Sequence, residues 1–179
     1  FYGSFNNTVK QNNLTENRGH GLAPAVCGNS IENNIAGAGK PVMYRENAQG
    51  LEISDTDKYS EIVLCNVSDS VIKNISIDNR GLDSDGVLMV ASDNNTVKNS
   101  YFEDVRTAVY FYRDSERNFV DGNIVKSSDI GLRLRLDSDD NRLEANSIEE
   151  AGTYIKALRN STGNDFVKNT IEETQFSIL

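Results

Sequence analysis

Short apolar runs alternate with polar turns along the chain, and the alternation repeats. One phrase sets the period: Asn, a variable residue, an apolar residue, two further residues, Asn or Ser, one residue, and an apolar residue. It appears as Asn95-Thr96-Val97-Lys98-Asn99-Ser100-Tyr101-Phe102. It returns at Asn118 with Val120, Asn123 and Val125, at Asn141 with Leu143, Asn146 and Ile148, and at Asn164 with Phe166, Asn169 and Ile171. The leading asparagines 95, 118, 141 and 164 are each 23 residues apart. An earlier copy starts at Asn7, and weaker ones lie at Asn29 and Ser70. Between copies a small residue precedes alternating apolar and variable positions, as in Gly86-Val87-Leu88-Met89-Val90 and Gly131-Leu132-Arg133-Leu134-Arg135-Leu136. Alternation of period two means strand, with one face inward and one outward.

No copy holds ten residues of helical periodicity, so each unit carries two or three short strands and no helix. That excludes leucine-rich and helical repeats, and propeller blades need about 40 residues. The expected fold is all-β: a right-handed single-stranded parallel β-helix of about 7–8 coils of ~23 residues, roughly 35 Å long. One domain spans 1–179, read as a piece of a longer chain because both ends lie on the repeat pattern. The segment from about 40 to 57 interrupts the phase and reads as an excursion from the stack. Stacking puts Val97, Val120, Leu143 and Phe166 in one buried column. It also puts Asn118, Asn141 and Asn164 in one amide ladder and Asn123, Asn146 and Asn169 in another. An amide can donate to one neighbour and accept from the other, and Asn tolerates left-handed turns.

The net charge is −9 and the pI about 4.6, which argues against a nucleic-acid partner. No apolar run reaches the ~18 residues needed to insert directly into a membrane. Cys27 and Cys65, the two cysteines, make no disulfide framework and read as buried free thiols rather than a bridge.

Candidate chemistry lies at the outward strand positions. Tyr110 and Tyr112 alternate with Val109 and Phe111. Arg133 and Arg135 alternate with leucines, and Lys156 follows one repeat on, with Arg106 at the entry. Aromatic faces stack on sugar rings and guanidinium forks hold carboxylates, so an exposed strip of these residues points to an acidic polysaccharide or another envelope protein as partner. Flanking domains of the same chain are the other expected neighbours. Asp83 and Asp85, on one strand about 7 Å apart, are weak catalytic candidates for a polysaccharide lyase, glycoside hydrolase or epimerase. Gly19-His20-Gly21 and Asp83-Ser84-Asp85-Gly86 invite comparison with polygalacturonases. Their order along the chain is reversed here, so no catalytic roles carry over. Asp137, Asp139 and Asp140 are the best calcium candidates in a recurring acidic corner. No other cofactor is expected.

The phrases Gly39–Ile53 (GKPVMYRENAQGLEI) and Glu61–Ile77 (EIVLCNVSDSVIKNISI) resemble members of the NosD-like family of parallel β-helix proteins, also called carbohydrate-binding and sugar-hydrolase repeats. The resemblance covers nearly the whole chain and implies the same fold. That family spans enzymes, binding modules and surface proteins, so fold does not fix function. The expectation is an extracellular or cell-surface module with a structural or binding role. The family name implies copper, but the single His20, two Met and two Cys are scattered, whereas soft copper sites want them clustered.

Overall fold

The computed structural model describes residues 5–15, 22–81 and 84–172. The chain winds into a parallel β-solenoid of about seven turns, with 2% helix. The first sheet stacks Val42–Gln49, Glu61–Ser68, Val87–Val90, Thr107–Tyr112, Ile130–Arg135 and Thr153–Leu158. The second stacks Glu52–Ser54, Val71–Lys73, Thr96–Lys98, Phe119–Asp121, Arg142–Glu144 and Asp165–Val167. The third stacks Ser76–Asp78, Tyr101–Glu103, Ile124–Lys126, Ser147–Glu149 and Thr170–Glu172. Thr8–Lys10 and Ser30–Glu32 pair by themselves before the stack proper.

Most strands of the second and third sheets bury their middle residue and turn the flanking ones outward. The middle residues therefore form columns. Ile53, Ile72, Val97, Val120, Leu143 and Phe166 align in register. All are buried except Phe166, 44% exposed on the last described turn. The expected column is thus present, and each member covers its neighbours.

The asparagine ladders are present too. Asn118 Nδ2 donates to Asn141 Oδ1 at 3.0 Å and to the Ser92 carbonyl at 2.9 Å, while its backbone N–H also donates to Asn141 Oδ1 at 2.9 Å. Asn146 does the same with Asn169 and Val120. Each amide thereby satisfies a backbone carbonyl and a backbone N–H on the preceding turn and bonds the amide oxygen of the next, as buried polar groups require. Where Ser70 and Ser100 occupy ladder positions, only their backbone N–H groups donate upward, to Asn95 and Asn123.

Two expectations fail in the N-terminal half. The segment 40–57 is no excursion: Val42–Gln49 pairs in register with Glu61–Ser68, and Glu52–Ser54 with Val71–Lys73. It fell out of phase because its turn is short, with Val42 opposite Glu61, and because Arg45-Glu46-Asn47 breaks the apolar run. The segment that leaves the stack is 22–28. It crosses the outer face of the first sheet, where Ala25 packs with Val63, Cys65, Leu88, Val90, Tyr110 and Tyr112. Cys27 and Cys65 are not free thiols but a disulfide, with Cα atoms 5.5 Å apart, that ties this strap down.

Candidate functional site: the outer face of the first sheet

Two outward columns run along this face. One is Val63, Leu88, Tyr110, Arg133, Lys156; the other is Cys65, Val90, Tyr112, Arg135, Leu158. The 23-residue registration of Tyr110, Arg133 and Lys156 is as the sequence predicts. Their exposure is not. Tyr110 is 3% and Tyr112 6% exposed, because both join the apolar cluster under the strap. Arg133 sits over the Tyr110 ring at 4.7 Å, and Arg135 over Tyr112 at 5.8 Å. The rings are therefore supports for guanidinium groups, not platforms for sugars. Burial is the main reason the Tyr110 hydroxyl is pushed above its ordinary pKa, against the pull of both arginines.

Beyond the strap the columns turn cationic. Arg133, Arg135 and Lys156 are half-buried, and Leu158 is exposed. Among the described residues, neither Arg133 nor Lys156 has a carboxylate within ion-pairing distance. Arg133 Nε is buried without a hydrogen-bond partner.

At the entry to the first sheet lies a group only half foreseen. Asp83 falls outside the described residues. Asp85 is fully buried, and beside it is Glu61, also fully buried. The Leu22 N–H donates to Glu61 Oε2 at 3.0 Å, and the Asp85 backbone N–H also bonds to the Glu61 carboxyl. Burial first, and then the Asp85 charge, push the Glu61 carboxyl well above the usual range, while nearby Arg106 pulls it back. Glu61 Oε1 and Thr107 Oγ1 are buried without hydrogen-bond partners. Arg106 thus belongs with the acid pair rather than at the head of a basic strip. Glu61 was missed because it reads as the flank of an apolar run. Its one signal is that it shares an alternation with Val63 and Cys65, both of which face the strap.

The acidic corners have backbone work. Asp139 Oδ1 accepts from the Thr162 N–H at 2.6 Å, as Asp93 Oδ1 does from the Glu116 N–H two repeats earlier at 2.8 Å. Asp137 and Asp140 adopt left-handed turn conformations on the exposed surface. Among the described residues, no three His, Cys, Asp or Glu side chains gather as a metal-binding group, so Asp137, Asp139 and Asp140 are not brought together as a calcium site. Gly19, His20 and Gly21 lie outside the described residues.

Residues 56–179, more than half of the chain, match the family described as "Periplasmic copper-binding protein (NosD)". The chain belongs to this family. The description fits an envelope-associated β-helix. Comparison with curated proteins and with solved structures gives no match. The copper in the family's description finds no fitting donor set among the described residues. Met43 and Met89 are buried in the core, and both cysteines are joined in the disulfide. Soft donors gathered at one point are what copper binding requires.

Proposed function

We propose that this NosD-family chain is an envelope-associated module that binds an anionic glycan on the bare half of its first sheet. The observation that carries the reading is the cationic column: Arg133 and Lys156 are register neighbours on one outer face, and neither is ion-paired to a described residue. Like charges side by side on a sheet repel, and an external polyanion relieves that repulsion. Tyr110 beneath Arg133 restrains the planar fork, which is the geometry carboxylates accept. Arg135 extends the surface on the same strand.

Calorimetric titration with polygalacturonate at low salt tests this. Charge-assisted hydrogen bonds contribute about 1.5–3 kcal/mol each, so Arg133→Gln with Lys156→Gln lowers affinity at least about tenfold. Added salt weakens wild-type binding by screening. Unchanged affinity in a folded double variant, or no binding by wild type, refutes the reading.

A second reading rests on Glu61 and Asp85. Burial and the neighbouring charge raise the Glu61 pKa, which suits acid–base chemistry on a glycan, as in a lyase, hydrolase or epimerase. Both carboxylates are fully buried, so a glycan reaches them only when the chain at Leu22 moves off. Polyuronate cleavage or epimerisation by wild type, abolished in both Glu61→Gln and Asp85→Asn, selects this reading over simple binding.

A further inference from the structure

The corner between the second and third sheets forms an open groove of about 650 Å³. None of its lining residues belongs to the first sheet, so it is separate from the cationic column. Its floor is the column Ser76, Tyr101, Ile124, aligned in register. Its wall is the turn column Asn74, Asn99, Gly122, all in the left-handed conformation with φ of 52°, 50° and 62°. Gly122 keeps the wall low, since a Cβ there would come within 3.0 Å of Asn99 Oδ1. The Ser76 N–H donates to the Thr56 carbonyl, which sets Asp55 and Asp57 at the end of the groove.

Two features mark the groove as more than a corner. Ile124 is 43% exposed in the middle of the stack, whereas the other large exposed apolar side chains among the described residues, Phe5, Leu158 and Phe166, lie near the ends of the described chain. Tyr101 stands beside Ile124, and its hydroxyl is held by Glu103 two residues along the same strand. The ring therefore leans along its strand instead of projecting. An apolar spot two turns long thus lies between exposed amides on one side and two carboxylates at one end.

We infer that this groove binds an uncharged glycan strand containing N-acetylhexosamine units, lying along the solenoid axis. A pyranose offers an apolar C–H face and a rim of hydroxyls, and its acetamido group adds a methyl and an amide. Tyr101 and Ile124 take the C–H face and the methyl. Asp55, which already accepts from Asn74 Nδ2 at 3.1 Å, and Asp57 accept from hydroxyls with their remaining lone pairs, and the Asn74 oxygen and the Asn99 amide complement the acetamido group. The turns repeat at about 4.8 Å, close to the length of one pyranose unit, so successive sugars advance by about one turn along the groove. The two carboxylates repel the polyanion expected on the first sheet. The sites therefore take different polymers, and the rod bridges them. This site stands independently of the cationic column.

The test is titration of the intact chain with the β-1,4-linked hexasaccharide of N-acetylglucosamine, followed by calorimetry. Tyr101→Ala lowers affinity at least about fivefold by removing an aromatic contact, and Ile124→Gln, at an exposed position, lowers it as well. Arg133→Gln with Lys156→Gln leaves this binding unchanged, while Tyr101→Ala leaves polygalacturonate binding unchanged. The deacetylated hexasaccharide binds more weakly. Absence of binding at millimolar hexasaccharide overturns the proposal. So does full affinity in both groove variants with the fold intact, or tighter binding of the deacetylated form, which signals charge attraction alone.

Discussion

Val63, Leu88 and Tyr110 share one outer column with Arg133 and Lys156, yet the first three are buried and the last two are half-exposed. Backbone pairing is the same throughout. What differs is the cover. Over the first three positions lies the strap 22–28, fixed by Cys27–Cys65, and the side chains beneath it are apolar or aromatic. Past the strap the side chains are cationic. Alternation along a strand tells which residues share a face, but not whether the face meets water. The recognition surface is therefore confined to the uncovered turns.

The sharpest way to break this contrast is to release the cover. The disulfide closes a loop with a sequence separation of 38. Chain entropy alone makes such a closure worth about 4 kcal/mol. Cys27→Ala with Cys65→Ala therefore lowers the urea-unfolding free energy by about that much. It also exposes Tyr110 and Tyr112, seen as a gain in binding of an apolar dye. Polygalacturonate affinity stays near wild type, because the cationic turns lie outside the strap. A variant of unchanged stability and dye binding shows that the strap holds without its bond.

The ladder of the regular half gives the next effect. Asn146 donates to Asn169 and Val120 and accepts from the Asn123 side chain and backbone. Asn146→Ala takes the partner from the Val120 carbonyl and from the Asn123 side chain and backbone N–H on the preceding turn, and costs about 1–3 kcal/mol. Asn47 forms the exposed counterpart, accepting from Asn66 at 2.6 Å with φ of 52°. Asn47→Gly keeps the turn conformation and costs under about 1 kcal/mol. Equal losses in urea unfolding contradict the ladder's role.

These two regions were unequally legible in the sequence. From Asn95 to Ile171 each contact joins residues one turn apart, so the contacts themselves impose a 23-residue period, and the columns and ladders could be read directly. The strap leaves no such trace. Cys27 meets Cys65, and Leu22 meets Glu61, across a separation unrelated to the repeat. That is why the bridge, the buried Glu61 and the burial of both tyrosines went unforeseen. The turn containing Val42–Gln49 was misread for a related reason: its offset of 19 from the next turn hides it from a search at 23. In the candidate site, Arg133 and Lys156 were placed correctly by register, while Asp85 was found without its partner.

The smallest effect concerns that pair, and it separates the buried acid from the open cations. Burial and the Asp85 charge raise the Glu61 pKa in the folded chain. Below the ordinary glutamate value, about 4.3, Glu61 is protonated folded or unfolded and contributes no pH dependence. As pH rises from there towards the folded pKa, the unfolded chain releases the proton and the folded chain retains it. Stability then falls with rising pH, and above the folded pKa the penalty is constant. Glu61→Gln keeps the shape and an oxygen to accept from Leu22, but does not titrate. The stability difference between variant and wild type is therefore smallest near pH 4 and moves in the variant's favour towards neutrality. Urea unfolding of both proteins between pH 4 and 8 measures it. If the variant instead loses ground as pH rises, Glu61 is an ionised, stabilising carboxylate. The pair then no longer supplies the protonated member that glycan chemistry at this site needs.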